Sequence, residues 1–521
     1  MTSPEPLTPW SSTTKYLQGS VPAHVVQKED QARLRAYDLY ERMYWNEPGT
    51  FTLVKRGEDP TEIMIPSVRK IVNAKSRFLA VDFDFLVDPK LGSGGEQAEL
   101  QRRLGDLFKR ELVYTKFDNQ KRFGMVKGDQ VWHLLADDDK PAEHRLSIIE
   151  VDPANYFAIT DENDPDKILG CHIAELIKDP ADKKGKQVIK RQTYRKGDIG
   201  EDGLQEITTE LTYWQLDAWD DRVLDAKELK PYRHAELVEI PQKVLEGIHA
   251  LPVYPIPNLR MSGFAYGVSE LKGFESLVAA MNQSLSDEDI TLVMQGLGVY
   301  WTNAGPPTDA AGNETALEIS PGVILEVPDG NTIGRLNGVS SVAPMQDHIK
   351  SMMTELQQGS GTPDIATGIV DVALAESGIS LELKMAPLLA ENREKERILL
   401  GVLNQMLYDI VVYWFPAFEE YNTAARATVS VGDPKPVNRE AKINEIILLV
   451  TPAGPGSVAL ITPEMAFDAV ANLGYEYPPG AKDKLLEAAS KAQEVLLDPD
   501  GTRAAAENNA GSGSNPDNQA E

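Results

Sequence analysis

The chain has 521 residues, which is more than one hydrophobic core usually supports, so two or more lobes are expected. With 42% hydrophobic and 25% charged residues it has the composition of a folded protein, and its formal net charge of −28 excludes DNA binding driven by overall positive charge. The first residues have no signal-peptide pattern, and no run approaches the about 18 apolar residues of a membrane span. The single cysteine, Cys171, permits no internal disulfide, which is typical of assembly in a reducing cytoplasm.

The first half of the chain predicts a mixed lobe of helices and strands. Apolar spacing favours a helix over 31–44, a second one from Pro66 through Phe78, and a charged helix over 97–111. The alternation of apolar and acidic residues over 81–88 predicts a half-buried strand. Strands separated by turn clusters are then expected at 145–151, 168–176, 187–194 and 207–219. We interpret this region as hairpins in an α+β lobe.

The centre of the chain predicts two helices that flank a small β-rich insert. Apolar residues close to a 3.6-residue period favour a helix over 269–295, with Asp287, Glu288 and Asp289 on its opposite side. Runs of β-branched and aromatic residues broken by glycine and proline predict strands at 299–301, 317–327 and 332–336. The second helix begins near Pro344 and ends at a glycine-rich stretch.

A very long helix is predicted over 377–415, with an interruption at Pro387. At ~1.5 Å per residue it would span about 60 Å, which is far longer than a usual globular helix. A strand is expected at 427–431, and helices at 439–449, 463–473 and 481–497. From 498 onward apolar side chains are almost absent, which predicts a disordered tail.

Motifs that carry catalytic or cofactor chemistry are missing from the sequence. It contains no G-x-x-x-x-G-K-[ST], H-E-x-x-H, C-x-x-C or G-x-S-x-G pattern. Gly296-Leu-Gly298 lacks the third glycine of a dinucleotide fingerprint, since Trp301 occupies that position. Cys171 and His172 are adjacent on an expected strand and would point to opposite faces, which disfavours a metal site.

The acidic candidates for a site have simpler explanations. The stretch 161–166 resembles the start of a calcium loop, but Asp166 replaces the turn glycine and Pro165 stands at a ligand position, so a solvated turn is favoured. Asp82 and Asp84 could form a catalytic carboxylate pair, although outward-facing acids on a half-buried strand are the better interpretation. We therefore predict no catalytic, cofactor-binding or metal-ligating residues, and no enzymatic activity.

An ordered series of segments resembles the portal proteins of tailed bacteriophages, the head-to-tail connectors of the siphophage type. The series comprises Phe264-Ala-Tyr-Gly267 through Gly273, the helix carrying 282–289, the β insert, Thr362-Pro363 through Gly368, 375–384, and Pro387 with the long helix. The segments 37–46 and 429–454 also look like that family. The likeness covers roughly residues 30 to 475, and its most specific part is the order helix, β insert, helix, glycine-rich loop, kinked long helix.

The resemblance implies a portal fold in which twelve subunits form a ring. It assigns 1–24 to an N-terminal arm, 25–262 and 416–456 to a wing, 263–295 and 343–358 to the two stem helices, and 296–342 to a clip. It further assigns 359–377 to a tunnel loop, 378–415 to the long kinked helix and 457–497 to a crown, whereas the tail over 498–521 has no evident counterpart in that family. The ring would be the channel at one capsid vertex for packaging and ejection of double-stranded DNA, in the virion and, during assembly, in the host cytoplasm.

The resemblance also implies which residues would act. Asp287, Glu288 or Asp289 would face the stem lumen, where negative charge repels phosphates and lets DNA slide. The tunnel loop would use Gly359, Gly361 and Gly368 for mobility and Asp364, Asp371 and Glu376 for repulsion. Tyr300, Trp301 and Arg335 would contact partners at the clip. Expected partners are other copies of this chain, the major capsid protein, a scaffold if present, the terminase large subunit, the head-to-tail adaptor and the translocating DNA; no membrane and no cofactor is expected.

Two other classes of protein are open on the sequence. A different virion assembly protein, such as another ring connector or a scaffold, is one; scaffolds are typically shorter and mostly helical, which fits poorly with the extended β-rich region. An acid-dependent hydrolase is the other, and it requires a convergent carboxylate pair for which the sequence offers no partner geometry.

Overall fold

The computed structural model describes residues 28–54, 62–161, 163–164, 166–178, 187–200, 203–216, 229–233, 237–297, 299–305, 329–336, 342–368, 378–434, 439–450, 461–472, 484 and 486–487. Helices and antiparallel strands both occur throughout these residues, which confirms the α+β class. The chain divides into two compact units, one of Met1–Glu376 with Leu383–Pro434 and one of Ser377–Glu382 with Lys435–Glu521. The expected tail over 498–521, the N-terminal arm over 1–24 and the strand at 317–327 lie outside the described residues.

The helices follow apolar spacing and local end signals. The first helix ends at Trp45, because the next residue, Asn46, has a φ of 58° that breaks the helical path. The third begins with a capping box between Ser93 and Glu96. In chain order they are α1 Lys28–Trp45, α2 Ser67–Arg77, α3 Gly94–Arg110, α4 Val113–Lys127, α5 Glu275–Leu297, α6 Ala343–Gly359, α7 Gly378–Asp409, α8 Phe415–Glu419, α9 Arg439–Val450 and α10 Pro463–Asn472. A π turn over Ile410–Trp414 joins α7 to α8, just before Pro416, whose missing N–H cannot continue the α-helical ladder.

Within the described ranges, the strands pair in the antiparallel sense. They are β1 Asp84–Val87, β2 Asp129–Ala136, β3 Leu146–Val151, β4 Tyr156–Thr160, β5 Ile168–Lys178, β6 Gln187–Ile199, β7 Gln205–Leu216, β8 Leu229–Pro231, β9 Ile240–Val244, β10 Val253–Pro257, β11 Val299–Thr302, β12 Ile333–Leu336 and β13 Ala427–Ser430. One sheet has the order β4-β5-β6-β7-β8, with β9 also pairing β7, and a second has the order β10-β2-β3. The pairs β1-β13 and β11-β12 form two further ribbons.

The core of the first unit is built around the C-terminal half of α7. The side chains of Leu399, Leu403 and Ile410 are at most 1% exposed and pack with Trp132 and Ile256 of the β10-β2-β3 sheet. Burying one large apolar side chain contributes about 1.5–3 kcal/mol, so this seam is a major source of stability. The same core extends over α2, α3 and α4 and reaches the buried faces of α5 and α6.

The burial of this helix explains its apolar composition. Of the described residues, Leu383–Glu419 is the one helical stretch long and apolar enough to cross a membrane by length and composition. An 18-residue window within it has a mean hydropathy of 1.5, and half of that window is buried inside the protein. It also carries Asp409, which is 0% exposed and accepts hydrogen bonds from Tyr254 at 2.8 Å and from Gln405 at 2.9 Å. The stretch is therefore a core helix of the first unit.

The structure corrects the predicted start of α5. The sequence predicted a helix from Ser269, but the chain is held there by the Ser269 hydroxyl, which donates to the Val126 carbonyl at 2.5 Å. Gly273 then has a φ of +96°, a left-handed conformation that a helix cannot contain. The helix accordingly begins at Glu275.

Two smaller corrections concern the first lobe. The strand expected over 81–88 covers only Asp84–Val87, because Asp82 has a φ of 50°, and Asp82 and Asp84 therefore do not share a strand face. Helix α4 was not predicted at all. Its polar side chains Gln120, Lys121 and Lys127 are buried together with its apolar ones, so the sequence lacks a clear amphipathic period there.

Candidate functional site

Helices α5 and α6 pack together and are joined through the β11-β12 hairpin. Met281 of α5 and Ile349 and Met352 of α6 lie in one buried cluster. On the more exposed side, the Gln346 amide donates to Glu288 Oε1 at 2.9 Å. The described residues therefore contain a helix pair with a β ribbon at one end, in the order predicted for the stem and clip.

The three acids of α5 are half-buried and do not share one face. Gln283 donates to Asp287 Oδ1 at 2.9 Å, Glu288 is bonded to Gln346, and Asp289 follows on the next position. Successive residues of a helix are separated by about 100° around its axis, so Asp287 and Asp289 point in very different directions. One or two of these carboxylates, but not all three, can therefore line a common surface.

The hairpin presents an exposed tryptophan. The backbones of Tyr300 and Arg335 are paired across the ribbon, and those of Trp301 and Gly334 form the next pair. The Trp301 side chain is 48% exposed, whereas the side chains of Tyr300 and Arg335 lie outside what the structure describes. A large aromatic ring left open to solvent is a common anchor of protein–protein interfaces.

The described part of the predicted tunnel loop is anchored rather than free. Gly359 is the last residue of α6, and a β-carbon there would meet the Phe274 ring at 3.1 Å, so this glycine permits close packing. Gly361 and Gly368 have φ values of +64° and +88°, which favour glycine. Between them Asp364 begins a short 3₁₀ turn, Asp364–Thr367.

The 3₁₀ turn packs on two helices. Ile365 and Ala366 contact an apolar cluster formed by Ala74 of α2 and by Leu388 and Met385 of α7. Asp364 borders a cavity of about 320 Å³ that Thr354, Gln358 and Lys384 also line. Gly359 thus belongs to α6 and not to the loop that was predicted to begin there, while Asp371 and Glu376 fall outside the described residues.

Three buried charges and one half-buried charge lie next to this segment, and the sequence analysis missed them. Lys75 Nζ is 2.6 Å from Glu270 Oε2 and 2.8 Å from Glu391 Oε1, and Lys395 Nζ is 2.6 Å from Glu391 Oε1 and also paired with Glu270. Burial alone would raise the pKa of Glu270, but Lys395 and Lys75 outweigh it and hold that pKa at about 2. The spacing of Glu391 and Lys395 is a visible i,i+4 pair, whereas Lys75 and Glu270 are distant in sequence.

A larger cavity of about 560 Å³ lies between α1 and the segment 261–269. Its polar side chains are bonded to one another: Arg33 donates to Asp30 at 2.8 Å, and Tyr37 donates to Asp129, whose second oxygen accepts from the Gly267 amide at 2.7 Å. The Arg33 guanidinium also stacks 3.9 Å from the centre of the Tyr266 ring. These bonds hold α1 against the segment that forms the opposite wall of the cavity.

Cys171 and His172 have separate surroundings on β5. Cys171 is buried with Tyr156 and Tyr194, and burial raises the pKa of its thiol. His172 Nδ1 pairs with the Thr193 hydroxyl at 2.9 Å on the other face. No group of three or more His, Cys, Asp or Glu side chains suited to a metal ion occurs in the described ranges.

No family profile matches the sequence, and no curated protein is significantly similar to it.

Proposed function

We propose that this chain is the portal subunit of a tailed bacteriophage, a ring-forming, non-enzymatic component of the channel for DNA packaging and ejection. The supporting observation is the order of elements from α5 to α7. A helix pair joined by a β ribbon is followed by a glycine-containing segment and a long helix broken at its end by a π turn. This is the order that gave the sequence its resemblance to portals, except that α7 runs through Pro387 without the interruption predicted there.

The proposal gives each part of that unit a role. The paired helices α5 and α6 form the stem, and the ribbon with Trp301 forms the clip that contacts the terminase large subunit and then the head-to-tail adaptor. The segment from Gly359 to Gly368 is the base of the channel loop. Neighbouring copies, twelve in the family, close the ring, and the wing contacts the major capsid protein and a scaffold if one is present; no membrane takes part.

The charge of the chain supports passage of DNA rather than its capture. With a formal charge of −28 per subunit, a ring of copies carries a strongly negative field. Carboxylates of α5 that face the lumen would repel phosphates, and the repulsion would fall as salt screens it. The chain carries no phosphate-binding loop motif, and the force for packaging would come from the terminase.

Electron microscopy of the purified full-length protein tests the proposal. Negatively stained particles should be rings with a central hole, and light scattering should give the mass of a closed oligomer. Monomers or open aggregates at every protein and salt concentration tested would overturn the portal assignment, and a closed ring without a central channel would favour a different assembly protein.

A further inference from the structure

Glu391 is the one member of the four-charge cluster that reaches the surface. Its side chain is 28% exposed, whereas those of Lys75, Lys395 and Glu270 are 2%, 2% and 5% exposed. It accepts from both lysines, with Lys75 Nζ at 2.8 and 2.9 Å from its two oxygens. Glu391 therefore links the two buried lysines to the protein surface.

Gly361 lies next to Glu391. A β-carbon built on Gly361 would be 3.3 Å from Glu391 Oε2, closer than most real contacts of that kind. The next residue, Thr362, is 2% exposed, and its hydroxyl is 3.2 Å from that of Ser360. The segment after α6 is thus held against the charge cluster by Ser360 and Thr362, the buried residues on either side of Gly361.

The cluster ties together parts of the chain that are far apart in sequence. Lys75 belongs to α2, Glu391 and Lys395 belong to α7, and Glu270 precedes α5. Asn258 adds a bond to Glu270 Oε1 at 2.8 Å, and Asn392 donates to the Lys75 carbonyl at 3.1 Å. Two positive and two negative side chains balance, so removal of one leaves an unpaired charge in a buried place.

We propose that this balanced cluster positions the segment 359–368, with Glu391 and its two lysines as positioning residues that fix how easily the segment leaves the surface of α2 and α7. The inference about the segment is independent of the portal assignment. Its consequence for DNA passage rests on the proposed function, because the same segment is the base of the proposed channel loop.

Hydrogen exchange of the isolated full-length protein tests the proposal. Glu391→Gln leaves two lysines facing one carboxylate, and we expect amides of the 359–368 peptide to exchange about tenfold faster, a larger change than in the peptides of α2 and α7. Glu391→Gln combined with Lys395→Gln restores one positive and one negative charge, so exchange should slow again. Glu394→Gln, an exposed carboxylate on the same helix, is the matched control and should exchange like the unchanged protein.

The outcomes separate charge balance from packing. Unchanged exchange in Glu391→Gln, or faster exchange in the double variant than in the single one, overturns the proposal. If Glu391→Gln fails to fold, Glu391→Asp replaces it, since that change keeps every charge but draws the carboxylate back from Lys75 and Lys395; unchanged exchange of the 359–368 peptide in that variant also overturns the proposal. These readings hold whether or not the protein forms rings, so failure of this inference and failure of the portal proposal are distinguishable.

Discussion

The indole of Trp301 lies against Gly334 on the paired strand, so that a β-carbon on Gly334 would be 2.5 Å from the indole nitrogen. The absence of a side chain on Gly334 therefore leaves space for this half-exposed ring. The φ of Gly334 is not in the left-handed region, and the three atoms nearest to such a β-carbon all belong to the ring, so an alanine there is opposed mainly by the indole.

Replacing Gly334 with alanine should displace the Trp301 ring without unfolding the chain. We expect a shift in tryptophan emission and greater quenching by acrylamide, both lost in a Trp301→Phe background. Gly305→Ala is the matched control, since nothing lies within 4 Å of a β-carbon there. An unchanged spectrum in Gly334→Ala would mean that the ring does not rest on the glycine in solution.

Reversing the charge of Arg335 should weaken binding of the terminase or the head-to-tail adaptor and leave ring assembly intact. The reason is its place in the exposed ribbon, opposite Tyr300 and next to the Trp301–Gly334 pair. Binding of purified partners to Arg335→Glu measures the effect. Rings that fall apart in this variant would show that the ribbon serves subunit packing instead.

Replacing Asp364 and Asp371 with lysine should stall packaging or genome retention while rings still form. Attraction to phosphates would add friction to the moving DNA, and added salt should relieve it. Asp138→Lys with Asp139→Lys makes the same change of charge on an exposed turn and is the control. Normal packaging by the Asp364 and Asp371 variant would show that the segment lies away from the DNA.

Replacing Lys127 with methionine should destabilise the first unit by about 3–5 kcal/mol, the usual cost of breaking a buried ion pair from one side. Lys127 is 1% exposed, and its ammonium lies 2.8 Å from Asp152 and 3.0 Å from Glu41. The substitution therefore removes the positive charge that both buried carboxylates face. Urea unfolding measures the loss, with the exposed Lys109→Met as control. A loss no larger than that of the control would contradict the pairing.

Glu150 should make stability depend on pH. Burial raises its pKa to about 7, an effect that Lys116 only partly opposes. The folded state therefore binds this proton more tightly than the unfolded chain, and the free energy of unfolding should fall as pH rises from about 4.5 to 7. Unfolding in urea at several pH values should show a smaller fall for Glu150→Gln; identical slopes would rule out this titration.

The α+β class and most helices and strands could be predicted from the sequence alone. Apolar periodicity is local information, and it located α1, α6 and α9 to within a few residues, whereas α7 ends at Asp409 instead of 415 and runs through Pro387 without the predicted interruption. Strands β11 and β12 also lie where the short β-branched and aromatic runs predicted strands, at 299–301 and 332–336, but their pairing was not predicted. The portal function rests on the order of these elements, and it remains a proposal.

Tertiary structure decided the features that depend on distant residues. Helix α5 begins at Glu275 because Ser269 is held by a carbonyl of α4, which no local pattern records. The sequence predicted that Gly359 and Gly361 give the loop mobility. In the structure, Gly359 permits packing on Phe274, and Gly361 lies next to Glu391. A buried charge cluster requires partners from three separate segments, and the free energy that stabilises it exists only once the fold has removed them together from water.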